Sequence, residues 1–387
     1  MALLDLNLTP AAPSTHAFVV GVGNYPFLTG GSSPHRRDEW GLGQLSSPPF
    51  SALRFIRWLL EDFHNKEAPL STIEHLISGP HQVPDRNGVA HPSEEPEFRN
   101  IAKAYTRWIK RAGSDPRNIA LFYFVGHGVA KGDETALLAA DFGDPDLANL
   151  TANAIHLEET LKGMFACKAD RQVFFIDACR TKDPILDQSL NRPGEPLGTA
   201  TNQDTRQIPQ PAICATALTQ KALGQGGGVS LFTECLIEAL NGMAADDTQG
   251  GFQAGDCFVS TDRLPSAIQS ALAIKLLSKP WLGTAECRAI RGGSVDLHFP
   301  KEPIQVPLIM TCAPDLLNGN ANMEIKRKDT VLETRDPGED PWLTWHPPDR
   351  YDLTSSLAGG GSITKGVLLT PPYKRVVFEF SDPAPPV

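Results

Sequence analysis

Apolar residues recur along the chain in two alternating rhythms. "HAFVVGVGNY" (16–25) is an unbroken apolar run that ends on Gly and Asn, the pattern of a buried strand entering a turn. "FSALRFIRWLLEDF" (50–63) then spaces Phe50, Leu53, Ile56, Leu59 and Leu60 at helical intervals. The alternation continues with a strand over 71–79, an amphipathic helix over 96–113, an apolar strand over 118–128 and a short extended run over 134–141. A helix over 155–166 and strands over 171–180 and 211–218 follow, then helices over 230–243 and 260–277, and a strand over 292–299 that closes the series. Strands alternating with helices predict a mostly parallel sheet covered on both faces, an α/β fold whose ligands sit at the carboxyl ends of the strands. The stretch 181–209 is polar and rich in proline without periodicity, and reads as a long surface loop.

After residue 301 the helical rhythm stops. Short β-like runs, among them "QVPLIMTC", "ANMEIKR", "WLTWHPP" and "YKRVVFEF", are punctuated by Pro, Gly, Asn and Asp, which predicts a small C-terminal β-sandwich. Its aromatics in "PWLTWHPPDRY" read as sandwich core, with a contact surface as the other option. The expected organisation is an N-terminal extension over 1–15, an α/β domain over 16–300 and the sandwich over 301–387.

Composition narrows the function classes. The chain has 387 residues and a formal net charge of −10, with no Lys/Arg block, so no nucleic-acid footprint is expected. No apolar run long enough for a membrane span and no signal-peptide pattern is present, and the seven cysteines show no CxxC spacing. A reducing cytoplasm and an absence of structural zinc are the expectation. "GVGNY" and "GQGGGVS" are glycine-rich, but neither has the GxGxxG form that would support a nucleotide site.

The candidate chemistry lies at two strand ends. "FYFVGHG" places His127 between two glycines at the end of one apolar strand, and "FFIDACR" places Cys179 at the end of another. Either residue alone reads as structural: a histidine in a glycine turn, a cysteine in a core. Together, at one sheet edge, they form a nucleophile and its base, because cysteine attacks as thiolate and histidine titrates near neutrality. Gly126 and Gly128 are expected to turn the backbone sharply and leave room for a peptide, and the amides of Gly128 and Cys179 to face a developing oxyanion. Asp177, two residues before Cys179, points to the same side of its strand and suits a pocket for a cationic side chain; capping of a backbone amide is the alternative. "AADFGDPD" offers Asp141, Asp144 and Asp146 as oxygen donors for calcium, although such clusters are usually turns.

"HAFVVGVGNY", "FYFVGHG", "ALLAADFG" and "FFIDACRT", in this order, resemble the caspase-like cysteine proteases, the clan of caspases, paracaspases and metacaspases, with prokaryotic members most similar. The resemblance implies peptide-bond hydrolysis through a thioester, with His127 as base and Cys179 as nucleophile and no cofactor beyond the candidate calcium. It also implies an S1 pocket with Asp177 and Ser230 that accepts Arg or Lys. Val125 stands where the family often has serine, and Ser51 where many members carry a second pocket acid. In family members the linker after the nucleophile is often cut during activation, which makes Arg180, Lys182, Arg192 and Arg206 candidate self-cleavage sites. Protein substrates, an activating or inhibiting protein partner and a defence or cell-death role are implied in the same way. The alternative is a catalytically silent caspase-like scaffold that binds proteins through its C-terminal domain.

Overall fold

The computed structural model describes residues 3–6, 13–147, 149, 151–178, 181–182, 193–198, 208–216, 228–247, 257–278 and 286–380. The chain divides into two compact units, Met1–Ile237 with Ser260–Phe299, and Glu238–Val259 with Pro300–Val387.

In the first unit the strands, in chain order, are β1 (Leu3–Asp5), β2 (Thr15–Gly21), β3 (Leu70–Ile77), β4 (Gln82–Pro84), β5 (Ala90–Pro92), β6 (Ile119–Gly126), β7 (Gly128–Lys131), β8 (Glu134–Leu138), β9 (Ala154–His156), β10 (Arg171–Ala178), β11 (Thr181–Lys182) and β12 (Ala212–Thr216). β13 (Ala245–Asp247) and β14 (Cys257–Ser260) form an antiparallel pair that belongs, up to Val259, to the second unit; β15 (Glu286–Arg291) and β16 (Asp296–His298) follow in the first. The helices are α1 (Ser47–Glu61), α2 (Phe98–Ala112), α3 (Leu157–Gly163), α4 (Leu231–Glu238) and α5 (Leu264–Ser278).

The main sheet runs β1-β3-β2-β6-β10-β12-β15. Its five inner strands are parallel, with β1 and β15 antiparallel at the two edges. β2 and β6 are buried at every residue, as a parallel sheet covered on both faces requires. Alternation along β6 sends Tyr123 to one face and Phe122 to the other. Phe55 of α1 stacks on Tyr123 with ring centroids 4.4 Å apart, while Trp108 of α2 packs against Phe18 and Phe122 on the opposite face. A smaller sheet runs β11-β7-β8-β9.

Four features differ from the sequence reading. The apolar run over 118–128 is two strands: β6 stops at Gly126, and β7 starts at Gly128 in the smaller sheet. The strand that closes the main sheet is β15, not 292–299, where only Asp296–His298 is extended. β15 was hidden because "ECRAIR" is half charged, the composition of an exposed edge strand. Gly293 has φ +130°, and a Cβ there would come within 2.8 Å of Pro209 Cα, which explains the interruption. Leu3–Asp5, within the stretch expected as an extension, pairs with Thr72–Glu74, and Leu4 is fully buried. Finally, part of the expected surface loop is docked: Glu195 donates its N–H to Ala154 O (2.8 Å) and accepts from His156 N (2.9 Å), and Leu197 N donates to Thr160 Oγ1 (3.1 Å).

The second unit contains the expected β-runs: β17 (Val306–Ala313), β18 (Ala321–Arg327), β19 (Thr330–Arg335), β20 (Trp342–His346), β21 (Asp349–Leu357), β22 (Ser362–Leu369) and β23 (Lys374–Glu379). They form two sheets, β20-β17-β23 and β19-β18-β21-β22. Cys312 Sγ lies 3.5 Å from Ser355 Oγ, and Lys365 Nζ donates to Val377 O (2.8 Å), so the sheets face each other. Trp342 and Tyr351 are buried, whereas Trp345 is exposed, which divides the aromatic stretch between core and surface.

Candidate active site at the carboxyl ends of the central strands

His127 occupies the single residue between β6 and β7, where the chain leaves one sheet for the other. Its carbonyl accepts from Leu138 N (3.0 Å), its N–H donates to the Tyr25 hydroxyl (2.8 Å), and its Nε2 lies 2.7 Å from Gly43 O. A carbonyl only accepts, so Nε2 carries the proton and Nδ1 keeps a lone pair. Burial pushes the imidazole pKa down to about 4, partly countered by the Gly43 bond. The ring is therefore neutral at physiological pH, the state a base requires.

Neither flanking glycine adopts the left-handed backbone expected for a sharp turn. Gly126 is needed for a different reason: a Cβ would lie 2.9 Å from Tyr25 Oη and 3.2 Å from Val22 Cβ. Gly128 opens β7 opposite Leu137.

Parallel pairing aligns Asp177 with Val125 and Ala178 with Gly126. Asp177 is completely buried. Its Oδ2 accepts from the hydroxyls of Ser230 and Thr233, the latter at 2.6 Å. Because Thr233 directs its hydrogen at the ionised carboxylate, the Tyr123 hydroxyl, 2.5 Å from Thr233 Oγ1, is the donor in that pair. Ser230 N donates to Ser51 Oγ at 2.9 Å, so the serine that stands in place of a second acid joins the same cluster. Asp177 Oδ1 is buried and has no partner among the described residues, and Ser47 Oγ, one turn before Ser51, is in the same condition. Burial raises the Asp177 pKa to about 6 against the two hydroxyl bonds. Among the described residues its partners are hydroxyls, not the backbone amide of the alternative reading.

Cys179 lies outside the described residues, as do Arg180, Arg192 and Arg206. The backbone of Thr181–Lys182 pairs with Val129–Ala130. Among the described residues no cluster of three or more His, Cys, Asp or Glu side chains is placed to hold a metal, the candidate calcium donors included. Asp141 Oδ1 instead accepts from Phe98 N at the start of α2 (2.8 Å), and Asp144 Oδ1 accepts from Asp146 N (3.0 Å) in its own turn. Turn and cap chemistry consume these carboxylates.

Sequence reasoning missed Tyr25, Gly43 and Thr233. Tyr25 stood in "GVGNY", which reads only as a turn, and Gly43 contributes a carbonyl, which no side-chain pattern reveals. Thr233 had a signal, its spacing of three from Ser230 at the start of α4.

Among the described residues a groove lies between α1 and the β4–β5 hairpin, lined by Leu53, Ile56 and Val83.

A covered, mostly parallel sheet with a histidine and a buried acid at the carboxyl ends of adjacent strands is consistent with a caspase-like α/β fold. Residues 82–259 match the family model of the caspase domain, and over that part the chain is caspase-like. The chain is also 28% identical over 212 residues to an uncharacterised protein of Sinorhizobium fredii, y4kE; the match covers 55% of this chain and 60% of the relative. The chain therefore spans less than two thirds of the length of that relative. Among the described residues no helix is long and apolar enough to cross a membrane.

Proposed function

We propose that the chain is a cysteine endopeptidase in which His127 is the base and Cys179 the nucleophile. The observation that carries this reading is His127, neutral, with Nε2 engaged by Gly43 O, at the end of the strand paired with β10. In the sequence Cys179 directly follows Ala178, the last residue of β10. In the proposed reaction the thiol passes its proton to His127 Nδ1 as sulfur attacks the scissile carbonyl. The N–H groups of Gly128 and Cys179 receive the oxyanion. His127 returns the proton to the leaving amine, and water, deprotonated by the same imidazole, hydrolyses the thioester.

Asp177 supports cleavage after Arg or Lys, since its buried Oδ1 lacks a partner among the described residues and a cationic side chain would supply one. The full burial of that acid supports a chain held inactive until the pocket opens. Activation by cleavage is proposed at Arg180, Arg192 or Arg206; Lys182 is a poorer site because its backbone is held in a ladder.

The test is a fluorogenic peptide library varied at P1, incubated with wild type and with Cys179→Ala, before and after limited proteolysis. Cleavage after basic residues, lost in Cys179→Ala, is expected. Cleavage after another residue type removes the Asp177 assignment, and no cleavage in any condition removes the peptidase.

A further inference from the structure

Gly43 and Tyr25 both hold His127, and one surface side chain ties them together. Gln44 is exposed, yet its amide closes on the backbone of Tyr25 from both directions. Its Oε1 accepts from Tyr25 N (2.8 Å), and its Nε2 donates to Tyr25 O (2.9 Å) and to Thr29 O (3.2 Å). The chain between them makes a long excursion that returns to its start: Thr29 bridges Gly43, Thr29 N donates to Leu42 O (3.1 Å), and Leu45 N donates to Gly23 O (2.9 Å). The Gly43 carbonyl and the Gln44 N–H belong to one rigid peptide plane. Whatever fixes Gln44 therefore fixes the direction of the carbonyl that receives the His127 Nε2 proton. On the other side, the Tyr25 hydroxyl accepts from His127 N, and its ring lies 4.9 Å from the imidazole.

We infer that Gln44 is a positioning residue for His127: its side-chain amide locks Tyr25 to the Gly43 peptide, which keeps the imidazole proton on Nε2 and leaves Nδ1 as the acceptor. The role of that acceptor rests on the peptidase reading; the control of the tautomer does not. Gln44 contributes no buried side chain, so its replacement spares the core. A carbonyl displaced by about an ångström is enough to cost a positioned base up to a hundredfold in rate.

The experiment compares wild type, Gln44→Met and Gln44→Glu as full-length chains. Long-range proton–nitrogen NMR correlations report the His127 tautomer, assigned by its loss in His127→Gln. The rate of Cys179 alkylation by iodoacetamide, read by mass spectrometry of the peptide that carries it, reports the base. Expected are an Nε2-protonated His127 in wild type, a mixed tautomer in Gln44→Met, and alkylation slowed by about tenfold to a hundredfold. Gln44→Glu keeps the bond from Tyr25 N and loses both donated bonds, so a change in the same direction is expected, and it decides the matter should Gln44→Met fail to fold. A wild-type His127 protonated on Nδ1 overturns the inference without any variant. So does Gln44→Met with the wild-type tautomer and alkylation rate. A tautomer change in variants of a protein that cleaves no peptide would uphold the positioning role and remove the peptidase.

Discussion

At the residue scale, Gly126 and Asp177 carry the sharpest expectations. Gly126 has no room for a side chain, because a Cβ there would lie 2.9 Å from Tyr25 Oη. Gly126→Ala must displace the phenol that accepts the His127 N–H, and a thermal melt should show a loss of about 1–3 kcal/mol, the usual cost of overpacking. Asp177 is protonated below about pH 6, and a neutral carboxyl cannot pair with a cationic P1 side chain. For substrates with Arg at P1, kcat/KM should therefore fall as pH drops through 6, since that ratio reports the free enzyme. Asp177→Asn should remove this limb and lower the plateau roughly a hundredfold, the scale for losing one partner of a buried charge pair. Asp177 was legible in the sequence from its position two before Cys179. Ser230 was named beside it through the family resemblance, whereas the hydroxyls of Tyr123 and Thr233 were not, because β6 and α4 are separate segments that only the fold brings to the same carboxylate.

At the element scale, the central strands connect core packing to the site. Phe55 of α1 stacks on Tyr123 and meets Phe175 edge-on at 6.0 Å. Tyr123 is the donor that ends in the Asp177 cluster, so the same face of β6 is hydrophobic core below and polar network above. Phe55→Ala should cost about 3–5 kcal/mol in urea unfolding, the range for an emptied aromatic site. The buried strands and amphipathic helices were legible because a short unbroken apolar run and a 3.6-residue period differ plainly. The change of sheet at His127 was not: "FYFVGHGVA" is apolar on both sides of the histidine, and hydropathy does not record which partner strand a residue pairs with. The β15 edge was missed for the converse reason, since an exposed strand has no need of an apolar pattern.

At the scale of the whole molecule, burial of neutral imidazoles governs the response to acid. His16, His75, His127 and His298 are each pushed from 6.5 to about 4, desolvation being the largest cause in every case. The unfolded chain takes up protons below pH 6.5 that the folded chain refuses until about pH 4. Their stabilising contribution is thus complete above 6.5 and is lost as pH falls toward 4. Asp177, raised to about 6, acts in the opposite sense, with a contribution complete below its ordinary 3.8 and lost as pH rises through 6. Asp62, Asp141 and Asp296 are raised by burial in the same sense as Asp177, and His346 is lowered in the sense of the other imidazoles. The buried imidazoles titrate from 6.5 downward, so melting temperature should drop between pH 7 and pH 5, and His127→Gln should flatten that drop.

The sequence by itself determined the two architectures, the strand end that bears His127 and the strand that carries Asp177, because local periodicity and motif spacing are properties of neighbouring residues. Tertiary structure alone decided that Gly43 and Tyr25 hold the imidazole, that hydroxyls share the burial of Asp177, and that Asp141 caps a helix and Asp144 its own turn. Those outcomes depend on carbonyls, amides and hydroxyls brought together from distant segments, and the hydrogen bonds that join them have no period along the chain.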